Sequence, residues 1–174
     1  MSKENIILTM KTNKLILLKH IKGAPGLRLL GLGPNMRPCK GLTKLQNLFN
    51  QNAQWAQNRS IPDLRNCLSK SDVIISLWID KKIVGFGRAL SDGIFRSVLW
   101  DIVIDQNYQG KGYGKIIVNA LLESKSIKKT KKIYLMTTNK KDFYTQLDFE
   151  EVNSQKLLIK PVSYTHLTLP TTSV

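Results

Sequence analysis

Apolar positions along this chain recur with two periods, and their order predicts its elements. Residues 14–21 form a short run rich in Leu and Ile that reads as a first strand. Residues 23–41 carry Gly23, Pro25, Gly26, Gly31, Gly33, Pro34 and Pro38 and read as loop. Leu42, Leu45, Leu48, Phe49, Ala53 and Ala56 repeat at three- and four-residue spacing, which predicts an amphipathic helix with Trp55 near its C-terminal end. Ser60-Ile61-Pro62-Asp63 has the form of a helix start, Ser60 capping and Pro62 in the first turn, with Leu64, Cys67 and Leu68 as the apolar face. Residues 73–79 and 83–90 are dense apolar runs about the polar turn Asp80-Lys81-Lys82, a predicted hairpin. Ser91-Asp92-Gly93 turns the chain into a fourth strand, residues 94–105. A helix follows, which the lysine-rich residues 124–132 are expected to close, since cations suit a helix C-terminus. Then come a strand at 133–136, a short helix at 140–147, and a final strand pair at 149–152 and 156–159.

The chemistry concentrates in residues 99–122, LWDIVIDQNYQGKGYGKIIVNALL, which pass from strand to loop to helix. Ile102, Val103 and Ile104 are β-branched, Asp105, Gln106 and Asn107 are turn residues, and Ile116, Ile117, Ala120 and Leu121 give a helical stripe. Between them Gly110, Gly112 and Gly114 occupy every second position. Glycines at a strand-to-helix junction let the backbone approach a ligand, and the helix N-terminus adds partial positive charge, so the junction suits an anion such as a phosphate. The P-loop pattern fails, because Gln109 stands where its first Gly belongs and Ile116 follows Lys115. The dinucleotide pattern G-x-G-x-x-G fails on spacing. An ordinary strand–helix turn is the plainer alternative.

The 174 residues suffice for one domain with a single core. No apolar run approaches the length of a bilayer span, so neither a membrane partner nor a secretory signal is expected. Cys39 and Cys67 have no metal-type spacing, and no metal is expected. The net charge of +15 is weighted to the first seventy residues, where twelve basic side chains face only Glu4 and Asp63. Such an excess reads as a nucleic-acid footprint or as solvated surface lysines; the scattering of the basic residues, without interleaved aromatics, favours the second. Residues 162–172, VSYTHLTLPTT, change character abruptly. They look like a sequencing adapter read through in frame, so residues 161–174 are set aside as a non-native tail and His166 is not offered as a functional residue.

Gln109-x-x-Gly112-x-Gly114 matches Gln/Arg-x-x-Gly-x-Gly/Ala and resembles the acetyl-CoA loop of the GNAT family of N-acetyltransferases. Phe143-Tyr144-x-x-Leu147-x-Phe149 downstream is similar to a second element of that family. The detail is closest to a cyanobacterial and plastid branch that includes chloroplast and serotonin N-acetyltransferases. The resemblance implies an α/β (α+β) GNAT fold: a mixed, mostly antiparallel sheet flanked by helices, with a splayed parallel strand pair holding acetyl-CoA. It divides the chain into an N-terminal strand and loop, 1–41, and an acetyltransferase domain, 42–160. It implies direct acetyl transfer to a primary amine: a small arylalkylamine, a lysine side chain or a protein N-terminus. It assigns the pyrophosphate to the backbone of Gln109, Gly110, Lys111, Gly112, Tyr113 and Gly114, and the pantetheine arm to that of Ile102, Val103 and Ile104. Thr137 and Asn139 are further candidate cofactor contacts. Tyr144 stands at the family's general-acid position; the alternative is a core aromatic beside Phe143. Asp101 is the best-placed carboxylate for a base, with a structural hydrogen-bonding role as the alternative. Strand alternation puts Asp101, Val103 and Asp105 on one face, away from Ile102 and Ile104, unless a bulge intervenes. Asp148 stands where the family has Gly, and Asp tolerates the left-handed backbone that Gly would take. The branch implies the plastid stroma, or the cytoplasm of a cyanobacterium, with a homodimer open. Two other readings stand beside the enzyme: an acetyl-CoA-sensing module without catalysis, and a basic nucleic-acid-associated protein.

Overall fold

The computed structural model describes residues 15–22 and 26–160. They divide into two compact units, the larger ending at Thr138 and the smaller beginning at Asn139. The sequence-predicted tail at 161–174 lies outside the described residues.

The larger unit runs β1 (Ile16–Ile21), α1 (Leu27–Leu30), α2 (Gly41–Asn52), α3 (Ile61–Lys70), β2 (Val73–Ile79), β3 (Lys82–Ser91), β4 (Arg96–Ile104), α4 (Tyr113–Leu122) and β5 (Lys132–Tyr134). The five strands form one sheet in the order β1-β2-β3-β4-β5. Every pairing is antiparallel except β4 with β5, whose parallel register joins Arg96 to Lys132 and Val98 to Tyr134. A parallel neighbour requires a crossover, and α4 supplies it. All seven residues of β2 are buried, as a central strand covered on both faces requires.

The helices divide between the two faces of the sheet. On one face α2 and α3 bury Leu45, Leu48, Phe49, Leu64 and Leu68 against Ile74, Trp78, Phe86 and Val103. Phe49 meets Phe86 edge to face at a centroid distance of 5.4 Å. The other face is narrow because β3 carries Gly85 and Gly87 there. A Cβ at Gly87 would lie 2.6 Å from Ile117 Cγ2, and one at Gly85 2.9 Å from Ile117 Cδ1, so the missing side chains let α4 sit down on the sheet.

Several expectations are met closely, and four are corrected. Ser60 caps α3, its Oγ accepting the Asp63 N–H at 3.1 Å. The predicted loop at 23–41 instead contains α1 and a 3-10 turn at Pro34–Met36. Arg28 of α1 is buried and donates to the carbonyls of His20, Leu68, Ser71 and Asp72, a long-range clamp that local composition does not announce. The predicted first helix ends at Asn52, and Trp55 lies in a separate 3-10 turn, 65 % exposed. Likewise α4 stops at Leu122, and the lysine-rich segment is turn rather than helix. There Ser124 donates back to the Ala120 carbonyl and Ile127 is fully buried, which fixes the chain in turns.

The smaller unit holds one short helix, α5 (Lys141–Thr145). Tyr144 packs edge to face on Phe143 and Phe149, at 4.9 and 5.9 Å. Asp148 takes the left-handed conformation expected of it, with φ 63°. The final strand pair expected at 149–152 and 156–159 is not formed; those residues have no regular structure, and Leu157, Leu158 and Ile159 are exposed. Two strands alone are marginal in water without a third strand or a helix against them, and apolar content by itself does not supply one.

Candidate functional site

The site is built on β4, and a bulge sets its shape. Register runs Phe86–Val103 on one side and Arg88–Trp100 on the other, so Gly87 alone faces both Asp101 and Ile102. Asp101 absorbs the extra residue with φ 53°. One residue in the left-handed region is how such bulges are made, and Asp is among the side chains that tolerate it. Below the bulge the face assignment holds: Val103 packs toward α2, while Ile102 and Ile104 lie beside Gly87 and Gly85 under α4. Above it the alternation breaks, and Trp100 joins Asp101 on the α2 face. Arg88 touches both, its guanidinium 5.9 Å from the Trp100 ring and its Nε 2.6 Å from Asp101 Oδ2.

Asp101 is buried and fully engaged. Arg59, from the loop between α2 and α3, grips it with both terminal nitrogens at 2.9 and 3.1 Å, and Arg88 completes the set. Burial alone would raise this carboxyl; the hydrogen bonds and charges of Arg59 and Arg88 outweigh it and hold the group below the ordinary carboxylate range. The Trp100 indole nitrogen is buried beside them without a partner among the described residues.

At its far end β4 runs into the glycine loop. Asp105 is buried and pins the exit, accepting from the backbone and side-chain nitrogens of Asn107 at 3.0 and 3.1 Å and pairing with Lys82 at 2.6 Å. Burial pushes its carboxyl up, and Lys82 with the Asn107 N–H more than reverses the effect. The Gln106 N–H donates to Asn52 at 2.9 Å, tying the loop to the end of α2. Gln109 reaches back to the Ile104 carbonyl at 3.2 Å. Lys111 donates to the Asn107 carbonyl at 3.3 Å and covers the Tyr108 ring at 4.9 Å, while Tyr108 and Tyr113 stack at 6.4 Å.

Two glycines then shape a cradle. Gly110 and Gly112 have φ of 73° and 78°, and a Cβ on either would meet nothing within 4 Å. These positions therefore require glycine for backbone conformation and leave open space in front. Gly112 is also the cap residue of α4, and no side chain caps that helix. The first-turn amides of Tyr113, Gly114 and Lys115 have no intrahelical acceptor available, and the helix end is positive. The junction thus offers an anion a bare helix N-terminus behind an open, glycine-lined turn, which fits a pyrophosphate.

Beside this cradle β4 has a bare edge. Its pairing with β5 covers only Arg96 to Val98, and among the described residues no strand lies against that edge from Leu99 to Ile104. An exposed strand edge can pair with an extended amide-bearing chain. Ile102, Val103 and Ile104 therefore lie at the parting of the two parallel strands, continuous with Gln109 to Gly114. Thr137 is exposed at the end of the larger unit; Asn139 and Tyr144 belong to the smaller one. Burial pushes the Tyr144 phenol up. No group of three His, Cys, Asp or Glu side chains able to hold a metal occurs among the described residues.

Sequence reasoning missed Arg59, Arg88, Gly85 and Gly87. The two glycines left a trace, since glycine at alternate positions within a strand signals a close approach. The arginines left none: they lie 42 and 13 residues from their carboxylate.

Residues 70–151 match the family described as an acetyltransferase (GNAT) domain. Over 73 residues the chain is 38 % identical to the uncharacterised N-acetyltransferase ycf52 of Pyropia yezoensis, covering 40 % of this chain and 41 % of that protein. It is also 38 % identical over 72 residues to a chloroplastic GCN5-related N-acetyltransferase of Arabidopsis thaliana, covering 41 % of this chain and 28 % of that protein. The match thus spans less than half the length of these curated relatives. Among solved structures, a GNAT-family acetyltransferase of Streptococcus pneumoniae shares the fold with a TM-score of 0.63 at 17 % identity, over 86 % of this chain and 99 % of that one.

Proposed function

We propose that this chain, whose residues 70–151 match a GNAT acetyltransferase domain, is an acetyl-CoA-dependent N-acetyltransferase acting on a primary amine. The observation that carries the reading is the β4–α4 junction, where two positive-φ glycines in open space lead into an uncapped helix beside a bare strand edge. In this reading the amides of Gln109 to Gly114 hold the pyrophosphate and the edge at Ile102 to Ile104 holds the pantetheine amides. Acetyl-CoA supplies an activated thioester and a good leaving group. Tyr144, a phenol protonated at neutral pH, serves as proton donor to the departing sulfur.

Asp101 takes a role other than the proton acceptor suggested by its sequence position. Both its oxygens are committed to arginines and its carboxyl is held low, so it is a weak base at neutral pH. It anchors Arg59 and Arg88 and fixes the bulge, and solvent takes the amine proton. The acceptor is a small arylalkylamine, a lysine side chain or a protein N-terminus. Relatives named as chloroplastic support a plastid or cyanobacterial setting.

The test is release of CoA thiol from acetyl-CoA across arylalkylamines, polyamines, lysine peptides and peptide N-termini. Amine-dependent release is expected, falling roughly 10²-fold or more in Tyr144→Phe with little change in acetyl-CoA affinity. Tight acetyl-CoA binding without release from any amine would leave a sensor in place of an enzyme.

A further inference from the structure

At the end of the sheet opposite the glycine loop, the β3–β4 turn projects two large apolar side chains. Ile94 is 59 % exposed and Phe95 55 %. Single exposed apolar residues are ordinary. This pair differs in how its backbone is held. Asp92 Oδ1 accepts the N–H groups of Ile94, Phe95 and Arg96 at 2.9, 2.7 and 3.0 Å, and the Gly93 N–H donates to Ser91 Oγ at 2.9 Å. The carbonyls are paired as well: Ile94 and Phe95 accept from the Lys131 and Lys132 N–H groups at 3.1 and 3.0 Å, and Arg96 from the Asp92 N–H at 3.1 Å. The apex is therefore rigid, with its main-chain polar groups satisfied internally from Ile94 to Arg96. A segment built this way can leave water without stranding donors or acceptors, the main cost of putting irregular backbone into an apolar phase.

The surroundings are cationic. The lysine-rich segment after α4 is fastened to this turn by Ser91 Oγ to the Ser126 carbonyl at 2.7 Å and by Ser97 to Thr130 at 3.0 Å, in addition to the two backbone bonds. Lys125, Lys128, Lys129, Lys131 and Lys132 are all exposed there, as is Arg96 on the turn. Lys131 lies over the Phe95 ring at 5.3 Å. Two carboxylates face the turn: Asp72 accepts the Ser91 N–H at 2.8 Å and pairs with Lys22, and Asp92 spreads its charge into the three amides it accepts.

We propose that this tip is a docking surface for an anionic lipid bilayer, Ile94 and Phe95 entering the interface while the surrounding lysines meet lipid phosphates. Charge complementarity selects an anionic partner. The exposed apolar pair on a hydrogen-bond-satisfied apex favours a lipid interface, which it can enter, over a nucleic acid, whose phosphates would engage the lysines alone. Such docking needs no membrane-spanning helix. Because the nine residues of β4 separate the tip from the glycine loop by roughly 30 Å, the ligand cradle stays open to solvent when the tip is seated.

The test is co-sedimentation of the full chain with vesicles of phosphatidylcholine alone or enriched in phosphatidylglycerol, at low and high salt. Binding is expected only to the anionic vesicles and is weakened by salt. The double variant Ile94→Ser, Phe95→Ser should lose about tenfold in affinity, and Lys128→Glu with Lys129→Glu a similar factor. Both variants should keep the circular dichroism and acetyl-CoA affinity of the parent. Absence of binding to anionic vesicles at low salt overturns the proposal. So does single-stranded RNA binding that exceeds vesicle binding and ignores the Ile94 and Phe95 changes.

Discussion

Asp101 joins three functions at one residue: it is the extra residue of the β4 bulge, it holds a left-handed backbone, and it gathers Arg59 and Arg88. Replacing it with Asn keeps the shape and removes the charge that both guanidiniums answer. Breaking one partner of a largely buried ion pair is costly, and Asp101→Asn should lower stability by roughly 2–4 kcal/mol, read by urea unfolding. If Asp101 is an anchor, the acidic limb of the pH–rate profile keeps its midpoint in this variant while turnover drops; a base would take the limb away with it. The carboxylate was legible in the sequence because it sits just before the β-branched run. Its commitment was not, since pairing across 42 residues leaves no local pattern.

Among the elements, α4 depends on a glycine strip that is not its own. Gly85 and Gly87 let Ile117 reach the sheet, and a methyl at Gly87 would overlap a branched carbon close to the helix backbone. Gly87→Ala is expected to cost about 1–3 kcal/mol and, by tilting α4, to weaken acetyl-CoA binding; thermal unfolding and titration on the same sample read both. Periodicity placed β2, β3, β4, α2, α3 and the start of α4 within a few residues, because each buries a full face and its pattern follows from that. It failed where tertiary partners decide: at the bulge that carries Trp100 across the sheet, and in residues 149–160, whose apolar content suggested strands with nothing to pair them. Asp148 shows the converse, a departure from the family's glycine whose backbone conformation was nevertheless foreseen.

For the molecule as a whole, the mixed sheet is the one that the family resemblance implied, and the glycine pattern marked the β4–α4 junction. The buried polar network between β1 and β2 left no such mark. His20 hydrogen-bonds Ser76 at 2.8 Å, and Ser76 accepts from the Trp78 indole at 2.8 Å. Burial, then the neighbouring Arg28 charge, lowers His20 from 6.5 to about 4. Between those values the unfolded chain binds a proton that the folded chain refuses, so stability is intact above about 6.5 and falls as pH drops toward 4. The depressed carboxyls of Asp101 and Asp105 act lower still, below the ordinary Asp range, so this window belongs to His20. His20→Gln should flatten the pH dependence of unfolding there by a few kcal/mol; an unchanged slope would place the titrating group elsewhere.

The enzyme and sensor readings alike depend on the cradle at the head of α4, so calorimetric titration of acetyl-CoA is the most direct measurement. One site is expected in the parent protein, weakened more than about tenfold by Gly110→Ala with Gly112→Ala. Side chains there clash with nothing in the fold but occupy the ligand's space and force a left-handed backbone worth roughly 1–2 kcal/mol per residue. No binding in the parent, or equal affinity in the variant, would contradict a ligand cradle there.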